Sequence, residues 1–296
     1  MKKFLRDLVE NPVPITEFER YCAIIGKNPS EGARSPLLWN AVFDRINEPL
    51  RMIPLDVTKD NIRDFLRLLD QDDNFVAGAV AVPYKEIVFE HFFSRLDSTT
   101  KKIGAVNCLY RDDSGRLTAI NTDGEGAISS LKDNFVGRNY EKALVLGSGG
   151  TAKAVSAFLS SSLNLVNDLV IASRSEVAGV AIAKKCSARW VDWNNIGEEI
   201  KTTDLVINCT TLGSKYHEAE TPLKDSDFGL MLRRSVIFDV VYDPAKTLLL
   251  KIAEDNDFET LNGLGMNLEQ AVIACAMALK GKIGLDGIRE IMELVD

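Results

Sequence analysis

The sequence predicts an α/β protein of two domains, and three observations lead there. Short, almost wholly apolar runs alternate with stretches of helical periodicity, the pattern of parallel strands covered by helices on both faces. The alternation restarts partway along the chain, after a segment from Asp123 to Asn139. And 296 residues exceed one ordinary hydrophobic core.

The elements come in order. "MKKFLRDLVENPVP" has the basic start of a secretion signal but no apolar run or small-residue cleavage site behind it, so an ordinary helix or extension is expected there. Apolar runs in "YCAIIG", "LRMIPLDV", "VAGAVAVP" and "AVNCLYRDD" predict strands, with helices at "PLLWNAVFDRI" and "NIRDFLRLLDQ" between them. "YRDDSGRLTAI" predicts a hairpin, two strand-like runs joined by a glycine-containing turn, leading to "NTDGEG". The second series runs through "KALVLGSGG", "DLVIAS", "DLVINCTT" and "SVIFDVVYD". "MNLEQAVIACAMALKG" and "LDGIREIMELV" read as two closing helices with no strand after them, which must pack on something already built.

Composition narrows the function. Apolar and charged fractions of 46% and 26%, without a membrane-length apolar segment, predict a soluble, cytoplasmic protein. A net charge of −8 with no basic block argues against nucleic acid as the ligand. The five cysteines, Cys22, Cys108, Cys186, Cys209 and Cys275, show no metal or disulfide spacing, so a reducing compartment and no metal are expected. With only two histidines, His91 and His217, the general base is expected to be another residue type.

"ALVLGSGGTAKAVSAFL" sets Gly147, Ser148, Gly149, Gly150, Thr151 and Ala152 between an apolar strand and an alanine-rich helix, with a G-x-G-x-x-A spacing. Gly147 permits the tight turn, Gly149 lets backbone approach a pyrophosphate, and Ala152 lets helix and strand pack closely, so a dinucleotide is the expected ligand. The next strand ends in Ser173, Arg174 and Ser175 where an NAD site would carry an acidic residue. A guanidinium beside hydroxyls suits a 2′-phosphate, which points to NADP. Lys85, Asn107 and Asp123 each lie near the end of an apolar run, and the expectation for a parallel sheet is that they emerge at the carboxyl edge where ligands bind.

At these residues the chain resembles the shikimate dehydrogenase family along nearly its whole length. The carrying stretches are "RSPLLWN" (residues 34 to 40), "VAVPYKE", "IGAVNCL", "INTDGEG", "VLGSGGTAKA", "INCTTLG", "FDVVYDPAKTLLL" and "NGLGMNLEQA". The resemblance implies an open, mixed or parallel α/β substrate domain over residues 1–123, an NADP-binding Rossmann domain over 124–264, closing helices over 265–296 that pack back on the first domain, and a cleft between domains. It implies reversible oxidation of a ring hydroxyl of shikimate or a related cyclic polyhydroxy acid, within aromatic amino acid biosynthesis, by a monomer or homodimer. Lys85 and Asp123 match the catalytic pair, while Ser35, Asn107, Gln270 and Tyr242 match substrate contacts. Thr210, Val240, Gly263 and Met266 match positions on the nicotinamide side. Lys85 is left with two roles, base or alkoxide stabiliser, since a lysine must lose its proton to act as a base near neutrality.

The departures are specific. The family's Ser-x-Ser-Pro reads Ala33, Arg34, Ser35, Pro36 here, and its Asn-Val-Thr-Val-Pro reads Ala79, Val80, Ala81, Val82, Pro83. Two hydroxyls are missing, each a bond of about 1.5 to 3 kcal/mol to a charged group, which predicts inefficient use of shikimate. On the coenzyme side, a second arginine often found in the family is replaced by Ala178 or Gly179. The alternatives are an NADP-binding sensor with vestigial activity, or a dehydrogenase for quinate or an amino analogue.

Overall fold

The computed structural model describes residues 5–13 and 19–295, so residues 1–4 and 14 of the opening segment lie outside the described residues. The chain divides into two compact units, one of Met1–Thr122 with Gln270–Asp296 and one of Asp123–Glu269. The second crossing therefore falls inside the helix Leu264–Leu279.

The first unit is a mixed sheet in the order β2-β1-β3-β4-β5. Strands β1 (Tyr21–Gly26), β2 (Met52–Asp56) and β3 (Phe75–Val80) run parallel, with β1 in the middle. Every residue of β1 and β3 is buried, which is why both read as unbroken apolar runs. Strands β4 (Cys108–Arg111) and β5 (Leu117–Ile120) join antiparallel, and their turn closes where the Asp112 carboxylate accepts from the N–H groups of Ser114 and Arg116. The helices of this unit include α1 (Ser35–Arg45), α2 (Ile62–Asp70), α3 (Lys85–Phe92) and α4 (Ser98–Ile103). Helix α4 starts because the Asp97 side chain accepts from the Thr99 and Thr100 N–H groups, and it stops at Gly104 in the left-handed region. Phe65, Phe75, Tyr84, Phe92 and Leu109 fill the core, and Tyr84 Oη donates to the Val57 carbonyl at 2.6 Å. The C-terminal helix Leu285–Glu293 packs on α1.

The second unit is a six-stranded sheet, parallel throughout, in the order β11-β10-β9-β6-β7-β8. It holds helix α5 (Asp123–Asn134), strand β6 (Tyr140–Leu146), helix α6 (Gly150–Ser161), strand β7 (Val166–Ser173), helix α7 (Glu176–Lys185) and strands β8 (Arg189–Asp192), β9 (Leu205–Asn208), β10 (Val236–Asp239) and β11 (Glu259–Leu261). Counted within the unit this is the doubly wound order 3-2-1-4-5-6, with its switch point between β6 and β9. Residues along β6 alternate between two cores: Ala143 and Val145 face α5 and α6, while Leu144 and Leu146 face the layer of Ile196, Phe228 and Leu249. The sequence reading does not anticipate β8 and β11. They are the two edge strands, only partly buried, and so carry no apolar run. The expected strand "SVIFDVVYD" ends early because the Asp239 side chain takes the Val241 N–H at 3.0 Å.

Candidate active site

In the first unit, the ends of β1, β2 and β3 and the start of β4 share one edge of the sheet. Gly26 is level with Asp56, Ile25 with Val80, and Ala79 with Cys108. Ser35, buried, opens α1 beyond β1, and the loop before it is tied down by Asp56, whose carboxylate accepts from the Ser30 N–H at 2.9 Å and from its hydroxyl. Ala33 lies in that loop. Ala81 sits over Gly26, close enough that a Cβ on the glycine would come within 2.9 Å of the alanine's. Both alanines of the altered motifs therefore belong to this edge.

Lys85, half-buried, is the first residue of α3, and its carbonyl accepts from the Val106 N–H at 3.0 Å. After Val106 comes Asn107, whose carbonyl accepts from the Val80 N–H at 2.7 Å. The backbone thus sews the start of α3 to the start of β4. Asn107 Nδ2 donates to Thr122 Oγ1 at 2.8 Å and to Gln270 Oε1 at 3.2 Å, while Asn107 Oδ1 accepts from the Thr122 N–H at 2.7 Å. Thr122 Oγ1 in turn donates to the Gln270 carbonyl at 3.1 Å. All three side chains are buried. Asn107 and Gln270, 163 residues apart, are brought together by this bond; Thr122, which joins them, is not singled out by sequence. The signal for it is its place between the two polar side chains of "NTD" at the end of a strand.

In the second unit, Leu146, Asn208 and Asp239 lie level across β6, β9 and β10, and the sheet's carboxyl edge begins there. Gly147 has φ +117°, and a Cβ on it would meet the Cys209 carbonyl at 3.2 Å and Thr210 at 3.3 Å, so only glycine fits the turn. Gly149 precedes the first turn of α6 with nothing near the position of a Cβ. An open glycine before a twelve-residue helix, at the switch point of a doubly wound sheet, is a cradle that fits a dinucleotide pyrophosphate. Ser148, Gly150 and Thr151 rim the turn, partly exposed, and Ala152 is fully buried in the core below.

Further along the edge, Asn208 Oδ1 accepts from the N–H and Oγ1 of Thr210, at 3.0 and 2.7 Å, and Asn208 Nδ2 donates to Asp239 Oδ1 at 3.0 Å. Asp239 also accepts from Thr247 Oγ1 at 2.7 Å; burial outweighs these bonds and raises its carboxyl to about 6. Gly263 lies against Val240, where a Cβ would come within 2.1 Å of the Val240 carbonyl oxygen. Met266 is part of the core beneath, and Tyr242 is half-buried. Asp123, buried, begins α5, and Gly124 beside it lets α5 close on α6, since a Cβ there would reach Phe158 at 2.3 Å.

Of the three residues expected at a 2′-phosphate, Arg174 and Ser175 are exposed and Ser173 is buried. Arg174 is exposed at the end of β7. Ser173 is buried, its Oγ donating to the Ser175 carbonyl at 2.9 Å and accepting from Trp190 Nε1 at 3.0 Å, so its hydroxyl turns inward. Ser175 Oγ caps α7, accepting from the Ala178 N–H at 3.3 Å.

A mixed-sheet unit with a buried polar cluster at one edge, together with a doubly wound unit bearing a dinucleotide cradle, defines the class as a two-domain dinucleotide-binding α/β protein. The family model described as "Shikimate dehydrogenase substrate binding domain" matches residues 24–109. A shikimate dehydrogenase (NADP(+)) of Rhizobium rhizogenes is 32% identical over 253 residues, 84% of this chain and 86% of that one. Another, of Carboxydothermus hydrogenoformans, is 33% identical over 260 residues, 83% of this chain and 87% of its own. The crystal structure of shikimate 5-dehydrogenase from Thermus thermophilus, in complex with NADP(H) and shikimate, shares the fold with a TM-score of 0.78 at 22% identity, covering 94% of this chain and 100% of that one. The chain belongs to the shikimate dehydrogenase family.

Proposed function

We propose that this chain reversibly oxidises a ring hydroxyl of shikimate or a related cyclic polyhydroxy acid, and that it is slow with shikimate itself. It is an NADP-dependent oxidoreductase of the shikimate dehydrogenase type. The observation that carries the substrate reading is the buried Asn107–Thr122–Gln270 cluster, at the sheet edge where Lys85 opens α3. Amide and hydroxyl groups already fixed by one another are a rigid set of donors and acceptors for a polyhydroxylated ring. Ser35 on the same edge supplies one hydroxyl toward a carboxylate.

Bound NADP supplies the hydride acceptor. Lys85 handles the hydroxyl proton, either accepting it or stabilising the developing alkoxide as an ammonium. Asp123, buried at the start of α5, is the other residue that the resemblance matches to the catalytic pair. At Ala33 and Ala81 the chain presents methyl groups where the family presents hydroxyls, which supports weak grip on the usual carboxylate.

Formation of NADPH, followed by absorbance over a panel of shikimate, quinate and amino analogues, tests the reading. Wild type is expected to be slow with shikimate, and Ala33→Ser with Ala81→Thr to raise kcat/KM by about two to four decades. Ordinary enzyme rates with shikimate in wild type would refute the slowness; no oxidation of any acid by either form, with NADP still bound, would leave the sensor reading in its place.

A further inference from the structure

The carboxyl edge of the second unit carries a buried charge that its fold does not need. Asp239, the last residue of β10, is fully buried. Its Oδ1 accepts from Asn208 Nδ2 and from the Val241 N–H, both at 3.0 Å, and its Oδ2 accepts from Thr247 Oγ1 at 2.7 Å. An asparagine in its place accepts the first two bonds on its oxygen and donates its amide to the Thr247 hydroxyl, so all three contacts survive without a charge. The carboxylate therefore adds a desolvation cost and no bond.

Among the described residues nothing positive offsets that cost. Burial raises the Asp239 carboxyl to about 6, and no charged side chain opposes it. Lys215, Lys246 and Lys251, the cations of the surrounding segments, are exposed, and Lys246 pairs with Glu254. Asp243, Glu254 and Asp255 are exposed acids. Cys209 and Tyr242, the other titratable groups beside the edge, cannot carry a positive charge.

The strand order brings a cation to this edge from outside. The pyrophosphate cradle at Gly149 stands at the switch point between β6 and β9. From there the adenosine half of a dinucleotide extends toward the end of β7, where the ribose contact belongs, and the nicotinamide half over the ends of β9 and β10. Asp239 ends β10 level with Asn208 of β9. The oxidised nicotinamide ring is a cation, and taking up hydride makes it neutral.

We infer that the Asp239 carboxylate is the counter-charge for the oxidised nicotinamide, and that its charge favours oxidised coenzyme over reduced. The inference rests on NADP binding by the second unit. A carboxylate held out of water acts on a nearby cation with little screening, so it need not touch the ring.

Dissociation constants of NADP+ and NADPH, measured by calorimetry on the full chain and on Asp239→Asn, test it without recourse to turnover. Both forms carry the same phosphates, so their affinity ratio isolates the charge of the ring. At pH 8 the ratio in favour of the oxidised form should fall about tenfold in Asp239→Asn, the order of one pair of unit charges within a protein. In wild type that ratio should rise about threefold from pH 5.5 to pH 8, as the carboxyl ionises, and in the variant it should stay flat. A ratio equal in the two proteins at pH 8, or an equal loss of both forms in the variant, as a misplaced edge would give, overturns the inference. So does a wild-type ratio that does not change with pH, a measurement that needs no variant. Failure of wild type to bind either form would overturn the coenzyme reading itself, and the inference with it.

Discussion

Lys85 draws its position from backbone bonds rather than from neighbours along the sequence. It is the first residue of α3, and the bond from Val106 to its carbonyl ties it beside Asn107. Loss of a positioned acid or base costs about two to four decades in rate. Lys85→Ala is therefore expected to lower kcat by that much while leaving the Kd for NADP unchanged, because the glycine turn belongs to the other unit. Turnover and coenzyme titration measured on the same preparation check this, and an unaltered kcat would remove Lys85 from the chemistry. The lysine, the aspartate and the glycine turn are all legible as residues in motifs. The inward turn of Ser173 is not, because Trp190, 17 residues on, decides it.

At the scale of elements, the plain composition of β3 has a steric cause. Gly78 faces the Ala23 carbonyl oxygen of β1, and a Cβ there would lie 2.1 Å from that backbone atom. Neither strand can yield without breaking the parallel pairing on both sides of β1. Gly78→Ala is expected to destabilise the protein by about 3 kcal/mol or more, read from urea unfolding. A variant within about 0.5 kcal/mol of wild type would show that the strands are not packed so closely. Long buried strands such as β1, β3 and β6 are readable because nearly every residue must be apolar; β8 and β11 escape because an edge strand needs only one covered face.

For the whole molecule, Asp239 links fold stability to pH. Its carboxyl, raised by burial to about 6, ionises in the unfolded chain near the ordinary value of about 3.9. The folded state therefore bears no penalty below pH 4, loses stability as pH rises from about 4 to 6, and carries the full cost above 6. A gap of that size corresponds to about 3 kcal/mol. Relative to Asp239→Asn, wild type should lose about that much stability between pH 4 and pH 7 in urea unfolding across the range. A difference between the two proteins that stays flat with pH would mean that the Asn208, Thr247 and Val241 bonds compensate burial fully.

Two domains, alternating α and β, the glycine turn and a lysine after a featureless strand are all legible in the order of residues, because periodicity and glycine placement are local constraints. Strand order is not local. That β6 lies between β7 and β9, creating the switch point above Gly147, depends on which strands pair, and nothing near "VLGSGG" states it. The same holds for Asn107, Thr122 and Gln270, whose bonds span up to 163 residues. It holds for Gly179, whose lack of a side chain is explained only by the indole that the pairing of β7 with β8 sets against it.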